Sequence, residues 1–147
     1  MFLAQTVLCK SDANDNRRLF TYIIFLVVCP QYMNLTAADR KYGPDTTGSP
    51  QCDNTLDGWY RFQGDAGRKM MTTCPLINKC GATFTAWLSN GHPTVAQGIV
   101  TKKVCIRRYQ VGNCCDDYLF ISVKNCGSYF IYNLLPTSCS IRYCGTD

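Results

Sequence analysis

From position 52 onwards, short apolar runs alternate with turn-forming residues, which is the pattern of a β-rich domain. The runs are rich in β-branched and aromatic residues, and they predict strands at 58–62, 83–88, 98–109, 118–123 and 128–134. The sequence Lys-Asn-Cys-Gly separates the last two runs and predicts a hairpin across 118–134. The one helical signal is weak and predicts a single short helix at 65–73.

Alternation within these strands selects the residues of a candidate core. Side chains two positions apart on a strand share a face, so Leu119 lies with Ile121, and Phe130 lies with Tyr132. The tryptophans could stack on sugar rings, but in small disulfide-rich domains such rings more often fill the core. The predicted core therefore consists of Trp59, Phe62, Trp87, Leu119, Ile121, Phe130 and Tyr132.

The beginning of the chain has a different pattern. Two adjacent arginines precede ten uncharged, mostly apolar residues at 19–28. This run is too short for a membrane-spanning helix, which needs about 20 residues, but it has the order of a secretory signal. We therefore expect 1–28 to be an N-terminal leader and 29–147 to form one domain. A buried strand at 19–28 is the alternative, and cleavage near Cys29 or after Ala38 is left open.

Cysteine content indicates the compartment. Eleven of the 147 residues are cysteine, a density typical of disulfide-rich secreted domains. Zinc is the competing interpretation, but no C-x₂-C pair occurs and His92 is the only histidine. We therefore expect no metal and no cofactor.

Cys114 and Cys115 are neighbours in the sequence. Their Cα atoms are about 3.8 Å apart, whereas a relaxed disulfide needs roughly 4.4–6.8 Å. Adjacent cysteines therefore rarely bond each other. They bind two different partners, or they serve as reactive thiols or metal ligands.

Groups suited to catalysis are scarce. A hydrolase needs a base, and His92 is expected in a surface turn beside Asn90 and Gly91, so a hydrolytic enzyme is the weakest hypothesis. Asp116 and Asp117 are expected in a solvated turn rather than in acid–base chemistry. We predict that the protein is not an enzyme.

The net charge of +5 is too small to require a nucleic-acid partner. Asn34, in Asn-Leu-Thr, is the one N-x-S/T acceptor and the candidate glycosylation site. A candidate patch for an anionic glycan or a membrane surface is formed by Lys102, Lys103, Arg107 and Arg108. On a strand, however, alternation divides these four residues between the two faces.

The order of motifs resembles the cysteine-rich domain of the uromodulin-like family, which includes uromodulin and the pancreatic zymogen-granule membrane glycoprotein. The matching stretches are CDNTLDGWYRFQGDAGRKM, TAWLSNGHP, GIVTKKVC, the adjacent CC, VKNCGSYFIYNL and CSIRYCGTD, with CPQYMNLTAADR as an opening segment. The resemblance implies a small disulfide-rich, mainly β domain. It also implies five disulfides: Cys29–Cys126, Cys52–Cys139, Cys74–Cys114, Cys80–Cys144 and Cys105–Cys115.

The resemblance further implies an extracellular, non-enzymatic module. In the family, N-glycans on this domain bind bacterial fimbrial lectins, so that the protein acts as a decoy. Neither Asn90 nor Asn133 lies in a sequon here, which leaves Asn34 as the position for such a glycan.

We therefore predict a secreted recognition or adhesion module with an innate-defence role. Its expected partner is an extracellular protein or glycan, or a microbial lectin that binds a glycan at Asn34, with no nucleic acid and no transmembrane span. The alternative is a secreted inhibitor or toxin-like effector of an enzyme or channel. Such an effector would contact its target through the turn at 89–94 or the loop at 107–112.

Overall fold

The computed structural model describes residues 29–147, and the expected leader lies outside them. The described chain forms nine strands: β1 (Met33–Leu35), β2 (Gly58–Phe62), β3 (Lys69–Met70), β4 (Phe84–Leu88), β5 (Ile99–Arg107), β6 (Asp117–Asn125), β7 (Phe130–Leu134), β8 (Ile141–Tyr143) and β9 (Gly145–Thr146). Its helices are three single 3₁₀ turns, at Ala38–Arg40, Gly64–Ala66 and Val95–Gln97. The predicted mainly β, single-domain fold is confirmed. No helix within 29–147 is long and apolar enough to span a bilayer.

Seven of the strands form one sheet in the order β1-β2-β7-β6-β5-β4-β8, and β3 pairs with β9 in a second sheet. The centre of the large sheet is antiparallel, whereas its edge pairs β1–β2 and β4–β8 are parallel. The predicted hairpin across 118–134 is confirmed, because β6 pairs with β7 in antiparallel register.

One face of the large sheet, the core face, carries the hydrophobic core. Ile121 and Val123 of β6 pack there with Tyr132 and Leu134 of β7. The other buried members are Leu35, Tyr60, Phe62, Ala66, Met70, Ala86, Leu88, Val104, Ile106, Ile141 and Tyr143. The opposite face is called the outer face below. It is the more exposed one, with Tyr118 and Phe120 both more than half exposed.

Five of the seven predicted core residues lie in or against this core: Phe62, Leu119, Ile121, Phe130 and Tyr132. The prediction was wrong for both tryptophans, which are half-buried on the outer face. Ala86 and Leu88 take the core positions of β4, so alternation turns Trp87 away from the core. Trp59 alternates with the buried Tyr60 in the same way.

The predicted helix at 65–73 does not form. A single 3₁₀ turn ends at Gly67, whose φ is +89°. A Cβ at Gly67 would lie 2.6 Å from the carbonyl oxygen of Thr146, so only glycine allows this close approach to β9. The chain then pairs Met70 with Gly145, and this tertiary pairing outweighs the local helical tendency.

Buried charges join the segment before β2 to β8. The Arg40 guanidinium donates to both carboxylate oxygens of Asp53 at 2.6 Å, and the N–H of Tyr143 donates to the same carboxylate at 2.9 Å. Arg142 pairs with Asp39 at 2.9 Å. Because Arg40, Asp53 and Arg142 are all nearly inaccessible, each charge depends on its partners for compensation.

Candidate functional site

Disulfides connect the two adjacent cysteines to different segments. Cys114 is bonded into the segment before β4, and Cys115 is bonded to β5. Within residues 29–147 the structure contains four disulfides: Cys29–Cys126, Cys74–Cys114, Cys80–Cys144 and Cys105–Cys115. These are four of the five pairs that the family resemblance implies.

The fifth expected pair, Cys52 and Cys139, is not bonded in the structure. Instead, the two thiols are in hydrogen-bond contact, and this contact is the main cause that raises the pKa of the Cys139 thiol. Cys139 is exposed and Cys52 is half-buried. The two thiols are therefore adjacent at the surface.

A rigid loop at 108–113 projects between two of the disulfides. The Arg107 guanidinium, at the end of β5, fixes the base of this loop. It donates to the carbonyl oxygens of Pro75 at 3.0 Å, Tyr109 at 3.0 Å and Gln110 at 2.6 Å. An arginine used in this way organises the loop and is not offered to a ligand.

The far side of the 108–113 loop is held by Asp116. Its carboxylate accepts the backbone N–H groups of Arg108 at 2.8 Å and Tyr109 at 3.3 Å. The tip nevertheless exposes large side chains, since Tyr109 is 65% and Val111 88% accessible. The loop thus presents an aromatic and an aliphatic group from an ordered backbone.

The basic side chains predicted as a patch contact four separate partners. The Lys103 ammonium lies 4.4 Å from the ring centroid of Tyr118, and Lys102 donates to a backbone carbonyl across the β4–β5 turn. Arg108 pairs with Asp117 at 2.9 Å, and its hydrogen bond holds the pKa of that carboxyl below the ordinary value. Together with Arg107, these residues are divided between both faces of the sheet and do not converge on one anion position.

His92 lies in the predicted turn, but its side chain is not free. Asn90 and Gly91 have positive φ, which confirms the turn. The imidazole Nε2 lies 2.7 Å from the Tyr132 hydroxyl, and the ring stacks on Phe130 with centroids 4.1 Å apart. The imidazole is therefore half-buried and bound to a tyrosine of the core. The expectation of a surface histidine was wrong.

Burial lowers the pKa of His92 from 6.5 to about 4, with Lys69 and Lys102 adding to the effect. At neutral pH the imidazole is uncharged. Across residues 29–147, no three metal-ligating side chains come together in one cluster.

His92→Gln should flatten the pH dependence of thermal stability between pH 6.5 and 4. In this window the unfolded chain binds a proton at His92 that the folded chain does not bind. Stability therefore falls as the pH falls. Glutamine does not titrate, and its amide can still bond to Tyr132. We expect a smaller drop in Tm from pH 7 to pH 5 in the variant, whereas parallel drops in the two proteins would contradict the assignment.

Asn34 is exposed on β1, at one edge of the large sheet. Leu35 points to the core, so alternation places Asn34 on the outer face, in register with Arg61 of β2. The Arg61 guanidinium lies 4.1 Å from the ring centroid of Tyr129 and donates to the Tyr32 hydroxyl at 2.9 Å. The two tyrosine rings are 5.5 Å apart. Tyr32, Arg61 and Tyr129 are called the tyrosine–arginine cluster below.

The segment that carries Asn34 is fixed to the outer face by a disulfide and a hydrogen bond. Cys29 is bonded to Cys126, and the Tyr129 hydroxyl donates to the Cys29 carbonyl at 2.8 Å. Ile131 completes a small apolar cluster with both cysteines. Sequence reasoning identified Asn34 but missed these surroundings, although an aromatic residue two positions before the acceptor asparagine was a readable signal.

The sheet, its single packed face and the disulfides across it define a cysteine-stapled β module. The sequence profile of the uromodulin-like cysteine-rich domain matches residues 60–145. The chain belongs to this uromodulin-like domain family.

Relatives with similar sequences carry this module within longer chains. The pancreatic secretory granule membrane major glycoprotein GP2 of Canis lupus familiaris is 40% identical over 118 residues, which cover 79% of this chain and 23% of the relative. The GP2 of Rattus norvegicus is 41% identical over 105 residues, covering 68% of this chain and 19% of the relative. Uromodulin of Mus musculus is 39% identical over 120 residues, covering 79% and 18%. The chain therefore spans about a fifth of the length of these curated relatives.

Proposed function

We propose that the protein is an extracellular, non-enzymatic recognition module that presents a glycan at Asn34 to microbial lectins. The observation that carries this proposal is the position of Asn34. It is exposed on an edge strand, and its segment is tied to the sheet through Cys29 and Cys126. A glycan on such a support would have a fixed origin and open access.

The cysteine chemistry supports an oxidising compartment. Disulfides persist in secreted and extracellular proteins and are rare in the cytosol. The contact between Cys52 and Cys139 would close into the fifth bond implied by the resemblance. The names of the GP2 relatives describe glycoproteins of a secretory granule membrane, which agrees with passage through the secretory pathway.

The test is secretion of the full chain from mammalian cells, followed by intact-mass measurement before and after reduction and N-glycan removal. We expect one N-glycan and five disulfides within 29–147. The glycosylated protein should then bind a mannose-specific fimbrial lectin. The exposed substitution Thr36→Ala removes the acceptor and should weaken lectin binding roughly tenfold or more. Equal binding by both proteins, or no sugar at Asn34, would overturn the proposal.

A second candidate function is inhibition of an extracellular enzyme or channel through the 108–113 loop. The exposed Tyr109 and Val111 stand on a backbone ordered by Arg107 and Asp116. Preorganisation of this kind favours binding because little loop entropy is lost. A panel of secreted proteases would show nanomolar inhibition that Tyr109→Ala abolishes. No inhibition across the panel would leave this candidate without support.

A further inference from the structure

We infer that the tyrosine–arginine cluster is a docking shelf for the first N-acetylglucosamine of a glycan at Asn34. The inference rests on the glycan proposed above, and adds that its first sugar packs against the protein. The glycan would then have a fixed base and free outer mannose residues. The sequence Tyr32-Met33-Asn34-Leu35-Thr36 places an aromatic ring two positions before the acceptor.

The strand geometry brings the acceptor and the cluster to the same face. Residues two apart on an extended chain point to one side, and Tyr32 contacts Arg61, which is the register partner of Asn34. Tyr32 is only half-buried, while Asn34 itself is exposed. Part of the ring is thus accessible beside the position where the first sugar would be attached.

The chemistry of the cluster fits a pyranose with an N-acetyl group. The face of an aromatic ring carries partial negative charge, which attracts the partially positive C–H groups on the apolar side of a sugar. The Arg61 guanidinium has several N–H donors in a fixed planar fork, and one of them is used by Tyr32 at 2.9 Å. The remaining donors suit a sugar hydroxyl or the N-acetyl carbonyl.

The shelf is ordered before any sugar arrives. Arg61 lies against the rings of Tyr32 and Tyr129, and Tyr129 is bonded to the Cys29 carbonyl. Packing a sugar against groups that are already immobile costs little side-chain entropy. The sugar would also cover β1, the outermost strand of the sheet, where unpaired backbone groups invite pairing with another chain.

The experiment trims the glycan in two steps on the full chain. Protein produced with high-mannose glycans is treated with an endoglycosidase that leaves one N-acetylglucosamine, or with an amidase that removes the whole glycan. We expect the single-sugar form to keep the Tm of the intact glycoprotein, and the fully deglycosylated form to melt lower by about 3 °C. Ring currents from Tyr32 should also shift the sugar protons upfield in NMR spectra.

The matched variants separate the shelf from ordinary destabilisation. The Tm difference between the single-sugar and sugar-free forms is measured within each variant, so any general loss of stability cancels. Tyr32→Phe keeps the ring and should keep most of the difference, whereas Tyr32→Leu should abolish it. Tyr109→Leu, at a distant exposed tyrosine, should leave it unchanged.

The outcomes distinguish this inference from the function on which it rests. A chain that carries no sugar at Asn34 overturns both. A glycosylated chain whose single-sugar and sugar-free forms melt together overturns the shelf alone, as does a difference that persists in Tyr32→Leu. In either of these two cases, lectin binding by the intact glycan would still stand.

Discussion

Replacing Asp53 by alanine is expected to lower the free energy of unfolding by about 3–5 kcal/mol. The substitution leaves the Arg40 guanidinium without the two carboxylate oxygens it binds, and it also removes the acceptor of the Tyr143 N–H. Both Arg40 and Arg142 would remain buried with less compensation. Urea denaturation followed by tryptophan fluorescence measures the loss.

A surface aspartate provides the control for this prediction. Asp45 pairs with Lys79 at 2.8 Å, but its side chain is 79% exposed, and such pairs contribute roughly 0–1 kcal/mol. Asp45→Ala should therefore be close to neutral. Asp53→Asn keeps a hydrogen-bond acceptor without the charge and should fall between the two. A loss below about 1 kcal/mol for Asp53→Ala would contradict the view that the buried charges depend on it.

The double substitution Cys80→Ala, Cys144→Ala should cost about 4 kcal/mol of stability, because its disulfide closes a long loop in the unfolded chain. The two cysteines are separated by 64 positions and both are fully buried, so alanines there also leave a cavity. Denaturant titration of the secreted variant gives the value.

The comparison is the disulfide between Cys105 and Cys115, with a separation of 10. Chain entropy assigns about 3 kcal/mol to a loop of this size, and Cys115 is only half-buried. Its double alanine variant should therefore lose less stability than the Cys80–Cys144 variant. The reverse order would show that strain or residual unfolded-state structure, rather than loop length and burial, sets the contribution of these bonds.

Local pattern was sufficient for much of the fold. The hairpin of β6 and β7 could be predicted because Leu119 alternates with Ile121, and Phe130 with Tyr132. Their period of two matches the pleat of a strand. The pattern did not reveal which face of β4 was buried, because Trp87 and Leu88 are both apolar. The choice was made by the neighbouring strands, and chain-local reasoning does not contain that information.

The site was only partly readable for a related reason. Asn34 is defined by three consecutive residues, so the sequence identifies it directly. Arg61 and Tyr129 reach it through strand pairing and lie far away along the chain. The pairing of Arg40 with Asp53 likewise joins two loop positions that have no periodic signal. Contacts of this type become visible only when the topology is known.

The bond between Cys29 and Cys126 determines how the domain bears mechanical load. When tension is applied between Cys29 and Asp147, the shortest covalent path crosses this disulfide and then follows the last 21 residues. The 96 residues between the two cysteines lie outside that path. Fully stretched, the load-bearing segment reaches only about 75 Å, against roughly 400 Å for the same chain without the bond. A microbe pulling on this module in flowing fluid would meet a short tether rather than an unravelling coil.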